Sequence, residues 1–228
     1  MHVTASTGAA LHVRLLGDLE LRRGDGPALA LPPSRRTRAL LGYLVATEAA
    51  HSRSALCDLL WDGSDDPRAS LRWSLTKLRA VVDDDGASRL QADRETVAFA
   101  LSACRIDCLD VHALLHGQDL ARLSLDVLED AARRLRGEFL DGLELPACYR
   151  FHHWWMAERE RFARLRHAVL EALTGRLAAD DPQRALPHGA RWWPPIRWPK
   201  ARTPPWSGCS PQRAAIPRPN STTRTRAS

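Results

Sequence analysis

Residues 66–101 read DPRASLRWSLTKLRAVVDDDGASRLQADRETVAFAL, and the hydrophobic period changes partway along them. Asp66 is placed to accept from the free amides of a first helical turn, and Pro67 at the first helical position needs no amide partner. Leu71, Leu75, Leu78 and Val82 then recur at spacings of four, three and four, which is one buried stripe of a helix. Asp83-Asp84-Asp85-Gly86 stops it. Beyond the stop, Leu90 lies on one arm and Val97, Phe99 and Leu101 alternate on the other, two strands around a short turn. A helix followed closely by a hairpin, behind two shorter helices, is the plan of a helix-turn-helix with a wing. The question is whether the upstream sequence supplies those helices.

It does. Residues 11–31, LHVRLLGDLELRRGDGPALAL, alternate as short strands, with Arg23-Gly24-Asp25-Gly26 as turn chemistry before Leu29 and Leu31. After Pro32-Pro33-Ser34 the period becomes helical, with Ala39, Leu40, Tyr43 and Leu44 in a stripe. Ser52 is a credible N-cap for a second helix carrying Leu56, Leu59 and Leu60, which the loop WDGSDD ends. Residues 11–102 therefore read as three strands, three helices and a hairpin. From about 106 to 187 the pattern is helical only. DVLEDAARRLRGEFLDGL carries Leu128, Ala131 or Ala132, Leu135 and Phe139. A long run from Tyr149 to about Ala178 places Phe151, Trp155, Phe162, Leu165, Val169 and Leu173 near one face, and Asp180-Asp181-Pro182 breaks it. The expected fold class is a mixed α+β winged helix-turn-helix domain over 11–102, an all-α domain over 103–190, and a disordered tail over 191–228.

Charge locates the chemistry more sharply than the overall balance of +6 does. Residues 188–228 hold eight Lys/Arg and no acid, with eight of the 15 prolines and four of the eight tryptophans, leaving 25 basic against 27 acidic residues upstream. Bulk positive charge is thus no argument for nucleic acid in residues 1–187. No apolar run is long enough to span a bilayer, and MHVTASTGAALHVRLL lacks the basic start, apolar stretch and cleavage site of a leader. The expected location is the cytoplasm. Five cysteines, an odd number scattered among helix-like segments, suit reduced thiols rather than a disulfide framework.

At about 100° per residue, the face of the third helix opposite its stripe displays Ala69, Trp73, Thr76, Lys77 and Ala80, with Arg68, Arg72 and Arg79 along one flank. Small residues let the backbone approach a groove, arginine and lysine pair with guanine or phosphate, and threonine serves either. Arg94 at the hairpin tip is placed for the minor groove or backbone, and Arg35 and Arg36 ahead of the first helix are candidates to clamp a phosphate. The same cations also fit ordinary solvated helix charges, and Trp73 fits packing against a neighbouring domain as well as a base. Asp62, Asp65 and Asp66 count against close phosphate contact at the helix start and present an acidic surface for a protein partner.

The ordered series HVRLLGDLEL, LPPSRRTRALLGYL and SRSALCDLLWDGSDDPRASLRWSLTKLRAVVDD resembles the N-terminal, OmpR-type winged helix of the SARP-type bacterial transcriptional activators. The segments RIDCLDVHALL and GEFLDGLELPACYRFHHWWMAERERFARLRHAVLEAL resemble their bacterial transcriptional activator domain, an array of tetratricopeptide-like helical pairs. The resemblance covers about 11–190. It implies double-stranded promoter DNA as partner, bound by the third helix, usually at direct repeats that a homodimer would occupy, with activation through RNA polymerase. Carried over by position, Arg72, Trp73, Thr76, Lys77 and Arg79 would contact groove and backbone and Arg94 would serve in the wing. The loop Asp62, Gly63, Ser64, Asp65 and Asp66 would face polymerase, and the helical domain would serve oligomerisation or regulation. The chain departs from the pattern in showing no phosphoacceptor receiver domain and no Walker sequence, so no cofactor is expected.

Rival readings are weaker. Cys104-x3-Cys108 and Cys148-x3-His152-His153 have ligand types at spacings a helix brings together, but they sit in amphipathic sequence where cysteine is ordinarily buried; no metal site is expected. Nothing has the context of a nucleophile elbow, a phosphate loop or a catalytic carboxylate pair, so an enzyme is not expected. The alternative from another class is a helical-repeat interaction scaffold whose winged helix binds no DNA, supported by the neutrality of residues 1–102 with 13 basic and 13 acidic groups.

The tail RWWPPIRWPKARTPPW, residues 191–206, cannot be helical. Tryptophan has the single codon TGG, so neighbouring codons joined one base out of step give Val at Trp192–Trp193 and Ala at Trp193–Pro194 and Trp198–Pro199. The stretch is compatible with V-A-A-D-P-L-A-E-G-A-H-A-A-L, a helix-forming string. The expectation is a single-base shift between about Pro187 and Arg191, an unstructured 191–228, and an exposed apolar face on the last helices of 150–190.

Overall fold

The computed structural model describes residues 10–84 and 87–180, with side chains through 178. Its first elements are β1 (Leu11–Arg14) and β2 (Glu20–Arg23), which run antiparallel with Leu11 opposite Arg23 and Val13 opposite Leu21. Alternation turns Leu11, Val13 and Leu21 to one buried face. The strand expected around Leu29 and Leu31 does not form. A single bridge joins Ala28 to Arg22, and both leucines pack half-buried.

The three expected helices are present: α1 (Arg35–Thr47), α2 (Arg53–Leu60) and α3 (Pro67–Val82). Each is started by a side chain that accepts an orphan amide: Ser34 from Thr37, Ser52 from Ala55, Asp66 from Ala69. A two-residue strand, β3 (His51–Ser52), precedes α2 and pairs with the hairpin formed by β4 (Leu90–Ala92) and β5 (Thr96–Phe99), giving the order β3-β5-β4. This hairpin is the wing. β3 escapes a reading by periodicity because two residues have no period.

The first sheet is completed from far along the chain. After a turn in which Ala103 adopts φ 56°, β6 (Cys104–Ile106) lies parallel to β1, so the sheet order is β2-β1-β6. β6 runs directly into α4 (Asp107–Leu115). The Asp107 carboxylate there accepts from the amides of Leu15, Leu16 and Cys108 at 2.8, 3.0 and 2.8 Å. Burial raises the pKa of this carboxyl, and the three amides oppose that shift. The chain thus crosses from winged helix to helical region within one sheet.

After a 3-10 turn at Leu120–Arg122 comes α5 (Leu125–Arg134), and after a long connection α6 (Tyr149–Asp180). The connection corrects one expectation: the helical stripe ends at Leu135, and residues 138–141 pair with 15–18 instead. Gly17 donates to Glu138 O, Leu140 to Leu15 O and Asp141 to Gly17 O at 2.7–2.9 Å. This close approach requires Gly137, where a Cβ would stand 2.6 Å from the Gly17 Cα. Leu135 caps the helix and Phe139 is buried beyond it, so the apolar spacing at Phe139 was right and its helical interpretation was not.

The seam between the two regions lies along α1. Leu40, Leu41, Leu44 and Val45 are fully buried, because α3 covers one side and Leu140 the other. A Cβ on Gly42 would meet the Leu140 side chain at 2.8 Å. Tyr43 stands edge-on to Trp154 with centroids 4.8 Å apart, Cys148 donates to Leu60 O, and Trp155 Nε1 donates to Leu140 O at 3.2 Å. On α6, Phe151, Trp155, Phe162, Val169 and Leu173 are buried as spaced, with Leu165 half-buried. The exposed apolar face expected toward the end of this helix is absent among the described residues: Val169, Leu170, Leu173 and Leu177 are buried, and α5 and the 3-10 turn pack against the helix. The break at Asp181-Pro182 and the 191–228 tail lie outside the described residues.

Candidate nucleic-acid interface

The buried stripe of α3 holds one face and leaves the other to solvent. Leu71, Leu75, Leu78 and Val82 are no more than 2% exposed, each contributing about 1.5–3 kcal/mol by burial. Ser74, on the same side, meets Thr37 of α1 hydroxyl to hydroxyl at 2.9 Å, so neither buried group is left unsatisfied. The opposite face carries Trp73, Thr76, Lys77 and Ala80, and one flank carries Arg68, Arg72 and Arg79, all exposed. Trp73 is 49% exposed and Lys77 Nζ lies 5.5 Å from its ring centroid. The tryptophan therefore does not serve as packing for the helical region. The Thr76 hydroxyl donates to Arg72 O one turn back.

The wing meets this face across a cleft of about 840 Å³ lined by Arg53, Arg68, Arg72 and Arg94 together with Asp93 and Glu95. The wing turn is closed by Asp93, whose carboxylate accepts from Glu95 N, Thr96 N and Thr96 Oγ1 at 2.7, 2.6 and 3.0 Å. The Thr96 amide and then the Glu95 amide hold the Asp93 pKa below the ordinary aspartate range. Arg94, at the tip, stays exposed. Arg53 was not singled out from the sequence. It follows the N-cap of α2, and its Nε donates to Asp93 O at 2.8 Å, which places a fourth guanidinium at the cleft. Only the fold brings residue 53 beside residue 94.

The pair Arg35 and Arg36 is divided. Arg36 lines a second cleft of about 460 Å³ with Ser34, Trp61, Ala69, Ser70 and Trp73, beside the exposed face of α3. Arg35, expected to clamp a phosphate with it, turns away: its Nη2 donates to Gly142 O and Glu144 O at 2.7 and 3.0 Å and pairs with the Glu144 carboxylate. That is a seam contact. The loop Asp62, Gly63, Ser64, Asp65 and Asp66 projects between α2 and α3, exposed except at Ser64, with Gly63 at φ 77°.

Among the described residues no group of three or more His, Cys, Asp or Glu is arranged to hold a metal ion. Of the cysteines considered for one, Cys108 and Cys148 are buried and Cys104 is half-buried, and burial pushes the Cys108 thiol well up. No helix of the described residues is long and apolar enough to cross a membrane.

No family model matches the sequence, and no curated protein does. Among solved structures the chain is similar to Mycobacterium tuberculosis EmbR in complex with a low-affinity phosphopeptide, at 22% identity and a TM-score of 0.54 over 79% of this chain and 51% of that one. The chain spans about half the length of that protein, and at this identity the likeness is one of fold. The shared fold is a mixed α+β winged helix followed by an all-α helical region.

Proposed function

We propose that the chain is a sequence-specific DNA-binding transcriptional regulator, an activator, that lays α3 in the major groove and the β4–β5 wing on the adjacent backbone or minor groove. One observation carries the reading. Arg68, Arg72, Lys77 and Arg79 are all exposed on α3, and among the described residues none of them has a carboxylate partner at ion-pair distance. α3 itself contains no acid. A cationic face left uncompensated carries a repulsive cost that a polyanion relieves, and the counterions released from the polyanion supply affinity.

In this reading Arg72 and Lys77 reach base edges or phosphates, Trp73 and Thr76 line the groove, and Arg68, Arg79 and Arg36 contact the backbone. Arg94, joined by Arg53, serves in the wing. Arg35 belongs to the seam. The loop Asp62–Asp66 is the proposed surface for RNA polymerase, on the opposite charge logic, and a homodimer on direct repeats is the proposed assembly. The division into a DNA-reading unit, 11–102, and a helical unit, 103–190, for oligomerisation or regulation is part of the same proposal. The likeness to EmbR supports the architecture only.

The test is selection by the full chain from a pool of random duplexes at physiological salt. Enrichment of one sequence motif over successive rounds is the expected result. A pool that stays random, with only weak salt-sensitive retention, would mean that the face is not a sequence reader.

A further inference from the structure

A recognition helix reads a groove only if it is held at one angle, and the C-terminal end of α3 is held from outside the helix-turn-helix. The last turn of a helix leaves carbonyls without intrahelical donors. At α3 two arginines take them. Arg23, the last residue of β2, donates from Nη2 to Val81 O at 2.9 Å and Asp83 O at 2.7 Å, and from Nη1 to Asp84 Oδ2 at 2.6 Å. Arg89, just ahead of β4, donates from Nη1 to Val82 O at 2.9 Å and to the same Asp84 oxygen at 2.8 Å. Asp83 closes the arrangement by accepting from the amides of Arg89 and Leu90 at 2.7 and 3.0 Å.

Arg89 is 1% exposed and is the only buried charged residue among those described. A buried guanidinium is costly unless its N–H groups are met, and an apolar side chain would fill the same space without that cost. What the guanidiniums add is direction: Arg23 holds the helix end through both Nη atoms and Arg89 through Nη1, its buried Nε having no partner, and two cations at a helix C-terminus also favour its dipole.

We propose that Arg23 and Arg89, joined through Asp84, are positioning residues that set the angle at which α3 presents its exposed face. Arg23 does so from the β2-β1-β6 sheet, the sheet on which the helical region is pinned through β6 and Asp107. Neither arginine is among the residues of the open face or of the wing cleft. The inference rests on the DNA-binding reading, since an angle matters only to a helix that reads something.

The experiment compares the full chain with Arg23→Ala, Arg23→Lys and Asp84→Asn on a duplex enriched from the random pool and on a duplex of random sequence, across a salt series, with the thermal midpoint recorded for each. Arg23→Ala is expected to lower affinity for the enriched duplex about tenfold while leaving the random duplex and the salt slope unchanged, because no phosphate contact is lost. Arg23→Lys keeps the charge without the fork and should fall between. It also covers the case in which alanine unfolds the chain. Asp84→Asn combined with Arg23→Ala should do no more damage than the worse single change. A salt slope lowered by about one, with both duplexes weakened equally, would make Arg23 a direct phosphate contact and overturn the proposal. Unchanged discrimination in a folded Arg23→Ala variant would overturn it too. If the unmodified chain enriches no duplex, the DNA reading itself has failed. Amide exchange at Val81–Asp83 then decides the clasp alone: faster exchange in Arg23→Ala retains it as an anchor, and equal exchange removes it.

Discussion

α3 and α6 both carry arginines on open faces, and they treat them in opposite ways. On α6, Arg161 meets Glu158 and Arg164 meets Glu160 one turn away, Arg159 pairs with Glu138 and lies over the Trp155 ring, and Arg150 faces Asp58. On α3, Arg68, Arg72, Lys77 and Arg79 have no acidic partner among the described residues. The cause is in the sequence: AERERFAR interleaves acids and bases at helical spacing, and PRASLRWSLTKLRAVV contains no acid. A helix whose charges neutralise each other is finished as a surface. A helix that keeps four cations apart from any anion fits the proposed contact with one supplied from outside.

Removing cations from each helix should expose the difference most strongly. Arg72→Ala with Lys77→Ala is expected to weaken binding to the enriched duplex about a hundredfold, whereas Arg161→Ala with Arg164→Ala on α6 should leave it unchanged and shift stability by only a few tenths of a kcal/mol. Mobility-shift titrations and urea melts read both. The winged helix and the helical region also share a packed seam. Gly137→Ala, which forces a methyl against the Gly17 backbone, should cost about 1–3 kcal/mol in urea unfolding. Gly175→Ala within α6, where nothing lies within 4 Å of the added carbon, should instead gain about 0.5–1 kcal/mol.

Smaller effects sharpen the α3 side. Asp66→Ala removes the only side-chain acceptor at the α3 N-terminus and should cost about 1 kcal/mol; an unchanged melt would show that the cap is dispensable. The wing supplies a pH test. The pKa of Asp93 is depressed in the folded chain, so its contribution is present above the unfolded value and is lost as pH falls through the folded one. Acid titration should therefore lower the protection factors of the Glu95 and Thr96 amides, each rate being divided by its intrinsic rate at that pH, and Asp93→Ala should show low protection at every pH.

Much of this was legible without coordinates. Asp66-Pro67 and the Leu71, Leu75, Leu78, Val82 spacing fixed α3 and its open face, because capping and periodicity are local. The wing was legible for the same reason, and so was α6 from Tyr149 onward. What escaped depends on contacts between distant residues. β6 pairs in parallel with a strand more than ninety positions earlier, and residues 138–141 forsake a helical stripe to pair with 15–18. No periodicity records such a choice. Within the candidate site, Arg35 and Arg36 are adjacent and alike in sequence, yet the fold sends one to Glu144 and the other toward Trp73. Arg23 and Arg89 read as ordinary cations until β2 and β4 bring them to the end of one helix.

If the α3 cations await an external polyanion, the salt dependence of binding records it. The slope of log Kd against log salt is measured on the enriched duplex for the full chain, for Arg68→Ala with Arg79→Ala, and for Arg161→Ala with Arg164→Ala. The slope should shrink by about two units in the α3 double variant and stay constant in the α6 one. Equal slopes for all three would contradict the account, because the unpaired cations of α3 would then be no closer to phosphate than the paired cations of α6.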